Sequence, residues 1–254
     1  MNGNLKLENY FTKMLYNQKN NLNFIHLHKC CGKAITSVLY DKNFKMTMVY
    51  KRQKLTGVMP NGKPFNCHDG VNEVQDVKNR INFISIRDIV ELYCSKISYI
   101  NRGRCLTPSG KPLSDKELIN SINYWLPKFL YDKKVGSDKR IKLHEKFPEI
   151  GIATKQMLFQ TCLIKDEIEE DNIEDFFKNN NIVDFIVRKD SLQEDLQHVL
   201  KSKIKMEHKN KSPYTKKIMN LLTGDMLSKI NERESFFQKA YLGELDDCIR
   251  GNFT

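Results

Sequence analysis

Several things are missing from this 254-residue chain, and each absence narrows what it can be. No apolar run reaches the roughly 18–20 residues that span a bilayer, so no membrane-spanning helix is expected. The first twenty residues, MNGNLKLENYFTKMLYNQKN, contain no apolar core of a secretory signal. The expectation is therefore a soluble, cytoplasmic protein. Seven cysteines are present, an odd number, and none forms a CxxC pair. That spacing argues against structural zinc and for reduced thiols, with no metal expected. No internal repeat and no low-complexity tract interrupts the chain.

What is present is a sizeable apolar fraction with an excess of positive charge. Hydrophobic residues make up 40%, too many for a disordered chain, and the length permits one large domain or two small ones. The 42 Lys+Arg against 31 Asp+Glu leave a net charge of +11. Lysines dominate that excess, and part of it is ordinary solvated surface. The remainder favours an anionic partner: a nucleic acid, an anionic glycan or a phosphorylated cofactor.

Along the chain, apolar runs at residues 23–27, 82–86 and 183–187 read as buried strands, with a further strand at 46–50. A helix is expected after each of the first two, at 34–40 and from Ile89 to Ile100. Residues 1–20 read as a helical or loose lead-in. Ser114–Glu117 and Ser191–Glu194 both fit the capping-box pattern and open helices. In the first of these helices Leu118, Ile122, Trp125 and Phe129 form the apolar stripe. Residues 148–180 read as helical, 201–211 as a basic linker, and 214–222 and 225–241 as C-terminal helices. Buried strands interleaved with helices predict an α/β fold: a three-layer, P-loop-like arrangement with a central, mainly parallel sheet flanked by helices. All 254 residues are read as one domain, with 1–20 a lead-in and 201–254 a helical C-terminal segment.

Ligands of such sheets sit beyond the carboxyl ends of the strands. The loops after Leu27, Ile86 and Val187 are therefore the places to look for chemistry. The first loop, His28-Lys29-Cys30-Cys31-Gly32-Lys33, joins a strand to a helix N-terminus. There unpaired N–H groups and the helix dipole favour an anion, and Lys29 supplies a mobile charge. A plain βα turn with exposed lysines is the alternative. A nucleotide-triphosphate loop, GxxxxGK[ST], is excluded because Leu27 stands at the first glycine and Ala34 follows Lys33.

Phe24 through Ile35, FIHLHKCCGKAI, resembles the 5′-phosphosulfate-binding loop of sulfotransferases. It departs from that pattern at Cys31, where Gly is usual, and at Lys33, where Thr is usual. Phe83 through Ser95, FISIRDIVELYCS, resembles the same family's 3′-phosphate motif, a strand ending in Arg followed eight residues later by Ser. Arg87 and Ser95 hold those two places. An ordinary ion pair of Arg87 with Asp88 or Glu91 is the alternative there. A more permissive likeness extends over Ile150–Thr154, Asp184–Leu196 and the segment Lys211-Ser212-Pro213-Tyr214.

The resemblance implies a sulfotransferase of the bacterial or viral glycan type. Its donor would be 3′-phosphoadenosine 5′-phosphosulfate (PAPS), with no metal, and its acceptor a carbohydrate or other hydroxylated molecule. It implies that Lys29 steadies the bridging oxygen and that the loop at Cys30, Gly32, Lys33, Ala34 and Ile35 holds the 5′-phosphate. Arg87 and Ser95 would hold the 3′-phosphate, and Lys211 and Ser212 would close over the nucleotide. The base would be His68, which is otherwise an ordinary loop histidine. His26 reads as a satisfied core histidine, whereas His28 stands near the donor. Two other functions remain: a basic nucleic-acid-binding module, for which no motif is present, and a sulfotransferase-like nucleotide binder with impaired catalysis.

Overall fold

A computed structural model describes residues 15–17, 19–42, 45–46, 77–101, 112–131, 138–206 and 214–250. A five-stranded sheet organises them. Strands β1 (Leu15–Asn17), β2 (Leu22–Ile25), β3 (Lys45–Met46), β4 (Ile81–Ile86) and β5 (Phe185–Arg188) lie in the order β3-β1-β2-β4-β5. The three apolar runs read as strands are β2, β4 and β5, and they pair in parallel. Phe24 stands opposite Phe83, and Phe83 opposite Phe185. The other two strands, β1 and β3, add antiparallel pairings, β1 to β2 and β3 to β1.

The lead-in therefore contains a strand where a helix or loose segment was expected. Strand β1 is three residues long and turns back into β2 through Lys19–Asn21, where Asn21 adopts a left-handed φ of 52°. Asn17 holds that turn by accepting from the Asn20 N–H at 3.2 Å. Such local Asn bonds favour a reversal over a helix.

Alternate residues of the parallel strands point to two separate cores, as the two-residue period requires. Phe24, Phe83 and Val187 pack with Ile35 and Leu39 of α1 (Gly32–Asp41) and with Leu196 and Val199 of α7 (Leu192–Leu200). Ile25, Ile84, Ile86 and Ile186 face the larger core. That core is built from α2 (Ile89–Ile100), α3 (Asp115–Tyr131), α4 (Asp138–Lys146), α5 (Ile152–Thr161), α6 (Ile173–Asn180), α8 (Thr215–Asn220), α9 (Gly224–Arg233) and α10 (Ser235–Leu242). Helices thus cover both faces of an α/β sheet. At about 25 cal/mol per Å² of apolar surface, burial of side chains such as Phe24 and Phe83, both fully enclosed, is what holds the layers together.

Four local expectations meet different outcomes. Ser114 and Glu117 close a capping box: the Ser114 N–H donates to Glu117 at 2.8 Å, and Glu117 N–H to Ser114 Oγ at 3.3 Å. Ser191 does not cap α7 through Glu194; its hydroxyl bonds Asp195, which also accepts the Arg188 N–H at 2.7 Å and so outcompetes the box. In α3 the fully buried stripe is Leu118, Ile122, Leu126 and Leu130, while Trp125 and Phe129 are only half-buried. Residues 148–180 form two helices, α5 and α6, because Cys162 leaves the helix for an isolated bridge with Asn181.

The C-terminal helix also divides, between α9 and α10. Glu234, at the break, is fully buried and turns its carboxylate onto the N-terminus of α5. It accepts from the Ala153 N–H at 2.8 Å, the Thr154 N–H at 2.7 Å and the Thr154 hydroxyl at 2.6 Å, and from the Tyr93 hydroxyl. An anion there satisfies orphan donors and meets the positive end of the helix dipole. Arg250 clasps the other end of the sheet, bonding the carbonyls of Val183, Ile182, Lys78 and Arg80 and the Asp184 carboxylate.

Candidate functional site

The carboxyl ends of β2, β4 and β5 meet in one cluster. The chain leaves β2 through His26 and Leu27, then turns tightly, with the Cys30 N–H bonded to the Leu27 carbonyl at 3.2 Å. Lys29 has φ +70° and Cys31 φ +57°, whereas Cys30 and Gly32 lie on the negative side. Positive φ therefore alternates with negative φ over Lys29–Gly32. The loop ends at the N-terminus of α1, where orphan N–H groups favour an anion. A left-handed residue other than glycine costs on the order of 1–3 kcal/mol and persists only where its surroundings impose it.

Strand β4 imposes it here. Ser85, fully buried, donates to the Cys30 carbonyl at 2.5 Å, and Arg87 Nη1 donates to the Lys29 carbonyl at 3.3 Å. Both carbonyls of the tight loop are thereby satisfied from the neighbouring strand. Gly32 is needed for a different reason from the one its place in the loop implies. A Cβ there would lie 1.8 Å from His26 Nε2, so the imidazole fills the room that a side chain would take. His26 is half-buried beside the helix start rather than enclosed in the core.

The Ala34 and Ile35 N–H groups donate to the Cys31 carbonyl, at 2.9 and 3.2 Å, as α1 begins. Their hydrogens are committed within the helix, which narrows the anion-facing part of the loop to Gly32 and Lys33. Lys33 is exposed at the first turn. Ile35 is fully buried under the sheet, and Cys30 is 1% exposed. Burial pushes the Cys30 thiol up to about 12, with Cys31 adding to the rise and Arg87 and Lys96 opposing it. Cys30 therefore serves through its backbone and not as a thiolate.

Helix α2 carries the second half of the site. Asp88 caps it, accepting the Glu91 N–H at 2.9 Å, and so starts the helix. Glu91, Ser95 and Tyr99 stand four residues apart on α2 and so lie along one side of it, and Arg87 precedes the N-cap at the start of that side, reaching Glu91. The carbonyl of Lys29 meets this face at Arg87, and the Lys29 amine lies 3.2 Å from the centroid of the Tyr99 ring. Lys29 thus runs along the same stripe that holds Ser95, which is half-buried. His28 packs edge-on against Tyr99, with ring centroids 5.7 Å apart. Lys29, Arg87 and Ser95, drawn from two parts of the sequence, are gathered on one side of the molecule.

The segment just beyond β5 adds Lys189, which the motifs did not single out. Arg87 Nη2 bonds Glu91 Oε2 at 2.7 Å, and Lys189 Nζ bonds Glu91 Oε1 at 2.7 Å. Burial would raise the Glu91 carboxyl, but hydrogen bonds from Lys189 and Arg87 outweigh it and the shift is downward. Next to it, the Tyr241 hydroxyl donates to Asp190. The Arg87–Glu91 pair was visible as an i,i+4 spacing. Lys189 was visible only as the first residue beyond a strand, because its partner lies 98 positions away. Ser85 carried no signal, being an alternating strand residue like any other.

The remaining candidates divide. His68, Lys211 and Ser212 lie outside the described residues. His144 contacts the Lys155 amine on the far face of α5, and the His198 ring packs against Phe185. Among the described residues no three His, Cys, Asp or Glu side chains group as metal ligands, and no helix is long and apolar enough to cross a membrane. Comparison with protein-family models, with curated proteins and with solved structures finds no match to this chain.

Proposed function

We propose that the chain is a sulfotransferase that moves a sulfuryl group from PAPS to a hydroxyl, or an amine, of a carbohydrate or other small acceptor, on a P-loop-like fold. The observation that carries this reading is the tight loop Lys29–Gly32, braced by Ser85 and Arg87 at the mouth of a parallel sheet and leading into the N-terminus of α1. In this reading the N–H groups of Gly32 and Lys33 cradle the 5′-phosphate, with Lys29, Arg87 and Ser95 on one side of it.

In this reading the acceptor oxygen attacks sulfur in line while the bond from sulfur to the bridging oxygen breaks. Charge grows on the departing 5′-phosphate, where the amides of Gly32 and Lys33 and the Lys29 ammonium stabilise it. Such reactions depend on positioning and electrostatics more than on covalent chemistry. Arg87 and Ser95 hold the 3′-phosphate, and Lys211 and Ser212 close over the nucleotide. The acceptor's proton passes to a base, for which His68 is the candidate.

The deciding experiment uses adenosine 3′,5′-bisphosphate and ³⁵S-labelled PAPS. The bisphosphate should raise the melting temperature, and Lys29→Ala should abolish labelled transfer while the protein keeps its circular dichroism spectrum. Absence of any bisphosphate effect, together with steeply salt-dependent binding of random oligonucleotides, would replace this reading with that of a basic nucleic-acid binder. A second reading, a nucleotide binder with impaired catalysis, draws on the Lys29 amine resting over Tyr99 rather than toward Gly32. Single-turnover transfer of label separates the two.

A further inference from the structure

The Arg87–Glu91–Lys189 cluster has a charge pattern that a structural ion pair does not need. Two cations from the ends of two strands converge on one carboxylate, with Asp88 and Asp190 flanking the cluster. The arginine is also under-used. Its Nη1 goes to the Lys29 carbonyl and its Nη2 to Glu91, while Nε is buried and has no partner among the described residues. A carboxylate on Arg ordinarily takes two parallel N–H bonds. Glu91 takes one, on Oε2, while Lys189 Nζ bonds both of its oxygens, at 2.7 and 2.5 Å. The side chains of Arg87, Glu91 and Lys189 are 14%, 26% and 33% exposed, so the cluster is screened yet reachable.

We propose that Arg87 and Lys189 form a two-cation seat for a dianionic phosphate monoester, and that Glu91 is the counter-ion they hold until that group arrives. The proposal rests on the donor reading for the identity of the nucleotide, where the monoester is the 3′-phosphate, but not for the seat itself. Glu91 reaches the seat from the first turn of α2, so a change of its side-chain rotamer vacates it without moving the helix. An arriving phosphate takes the Nε and Nη2 hydrogens of Arg87 together with the Lys189 ammonium. Glu91 thereby competes with every anionic ligand for the two cations.

The test measures binding of adenosine 3′,5′-bisphosphate, adenosine 5′-monophosphate and inorganic phosphate to the full chain by calorimetry. Glu91→Gln removes the competing charge and should tighten bisphosphate and inorganic phosphate by about tenfold. Lys189→Met should weaken the bisphosphate about tenfold and leave the 5′-monophosphate unchanged, since the latter lacks the group that sits there. Unchanged or weaker bisphosphate binding in a folded Glu91→Gln protein would overturn the proposal while leaving the donor reading intact, as would a Lys189→Met protein that binds bisphosphate like the parent. If no nucleotide binds but Glu91→Gln tightens inorganic phosphate, the seat stands and the donor reading falls.

Discussion

The imidazole of His26 lies where a side chain at residue 32 would have to go, with Nε2 only 1.8 Å from the ideal Cβ position of Gly32. A glycine that would ordinarily be credited with admitting a ligand here admits a neighbouring ring. Gly32→Ala should therefore displace His26 and cost about 1–2 kcal/mol. Combining it with His26→Ala should recover most of that loss. Urea unfolding of the two single variants and the double variant closes the cycle, and simple additivity would refute the contact as the cause.

Cys31 stands in the left-handed region at the N-cap of α1 with no side-chain capping bond. Glycine adopts that conformation freely, so Cys31→Gly should raise stability by about 1 kcal/mol after its own entropy cost. Cys31→Val, β-branched in the same conformation, should lower it. Urea midpoints order the three proteins as Gly above Cys above Val.

Glu234 joins α5, Tyr93 and the break between α9 and α10 through one fully buried carboxylate. Glu234→Ala leaves two N–H groups, a threonine hydroxyl and a tyrosine hydroxyl without their acceptor. The expected loss is about 3–5 kcal/mol, close to the whole stability of many domains, so the variant should be largely unfolded at 37 °C. A melting temperature within a few degrees of the parent would refute this account.

Lys155 is pulled down to about 8, first by burial and then by Arg233, with Glu234 and Glu149 opposing. His144 is the other titratable group in contact with it. Its folded value lies below its unfolded one, so the folded state releases the proton earlier. Below about 8 the amine is charged in both states and burying it is a constant cost; that cost is relieved as pH rises, so stability should climb between about 8 and 10.5. The difference in unfolding free energy between the parent and the Lys155→Met variant isolates this contribution from other alkaline titrations. The parent should gain on the variant across that window, and a flat difference would rule the effect out.

The readable parts of this molecule are those where one short segment carries its own physics. Ile25, Ile84 and Ile186, in three β-branched runs, mark the parallel strands, and the Ser114–Glu117 box marks the start of α3. Strand β1 was not readable, because Leu15-Tyr16-Asn17 is too short to show a period and acquires strand character by pairing with β2 and β3. The α9–α10 break was hidden for a similar reason: Glu234 is a good helix former whose role is set by α5, some 80 residues earlier. In the candidate site, Lys29, Gly32, Arg87 and Ser95 were legible as residues of two motifs. Glu91 was legible only as an ion-pair partner of Arg87; Ser85 and Lys189 were not, since each matters through a contact that only the folded sheet creates.

Arg250 fastens the carbonyls at the entry to β4 and β5, whereas Arg87 and Lys189 stand at their exits. Roughly 16 Å of strand separates the two margins of β4. A perturbation at the Arg250 hem would thus reach the anion seat only by travelling the length of the strands, so affinity and fold stability should be adjustable at opposite ends of the same ladder.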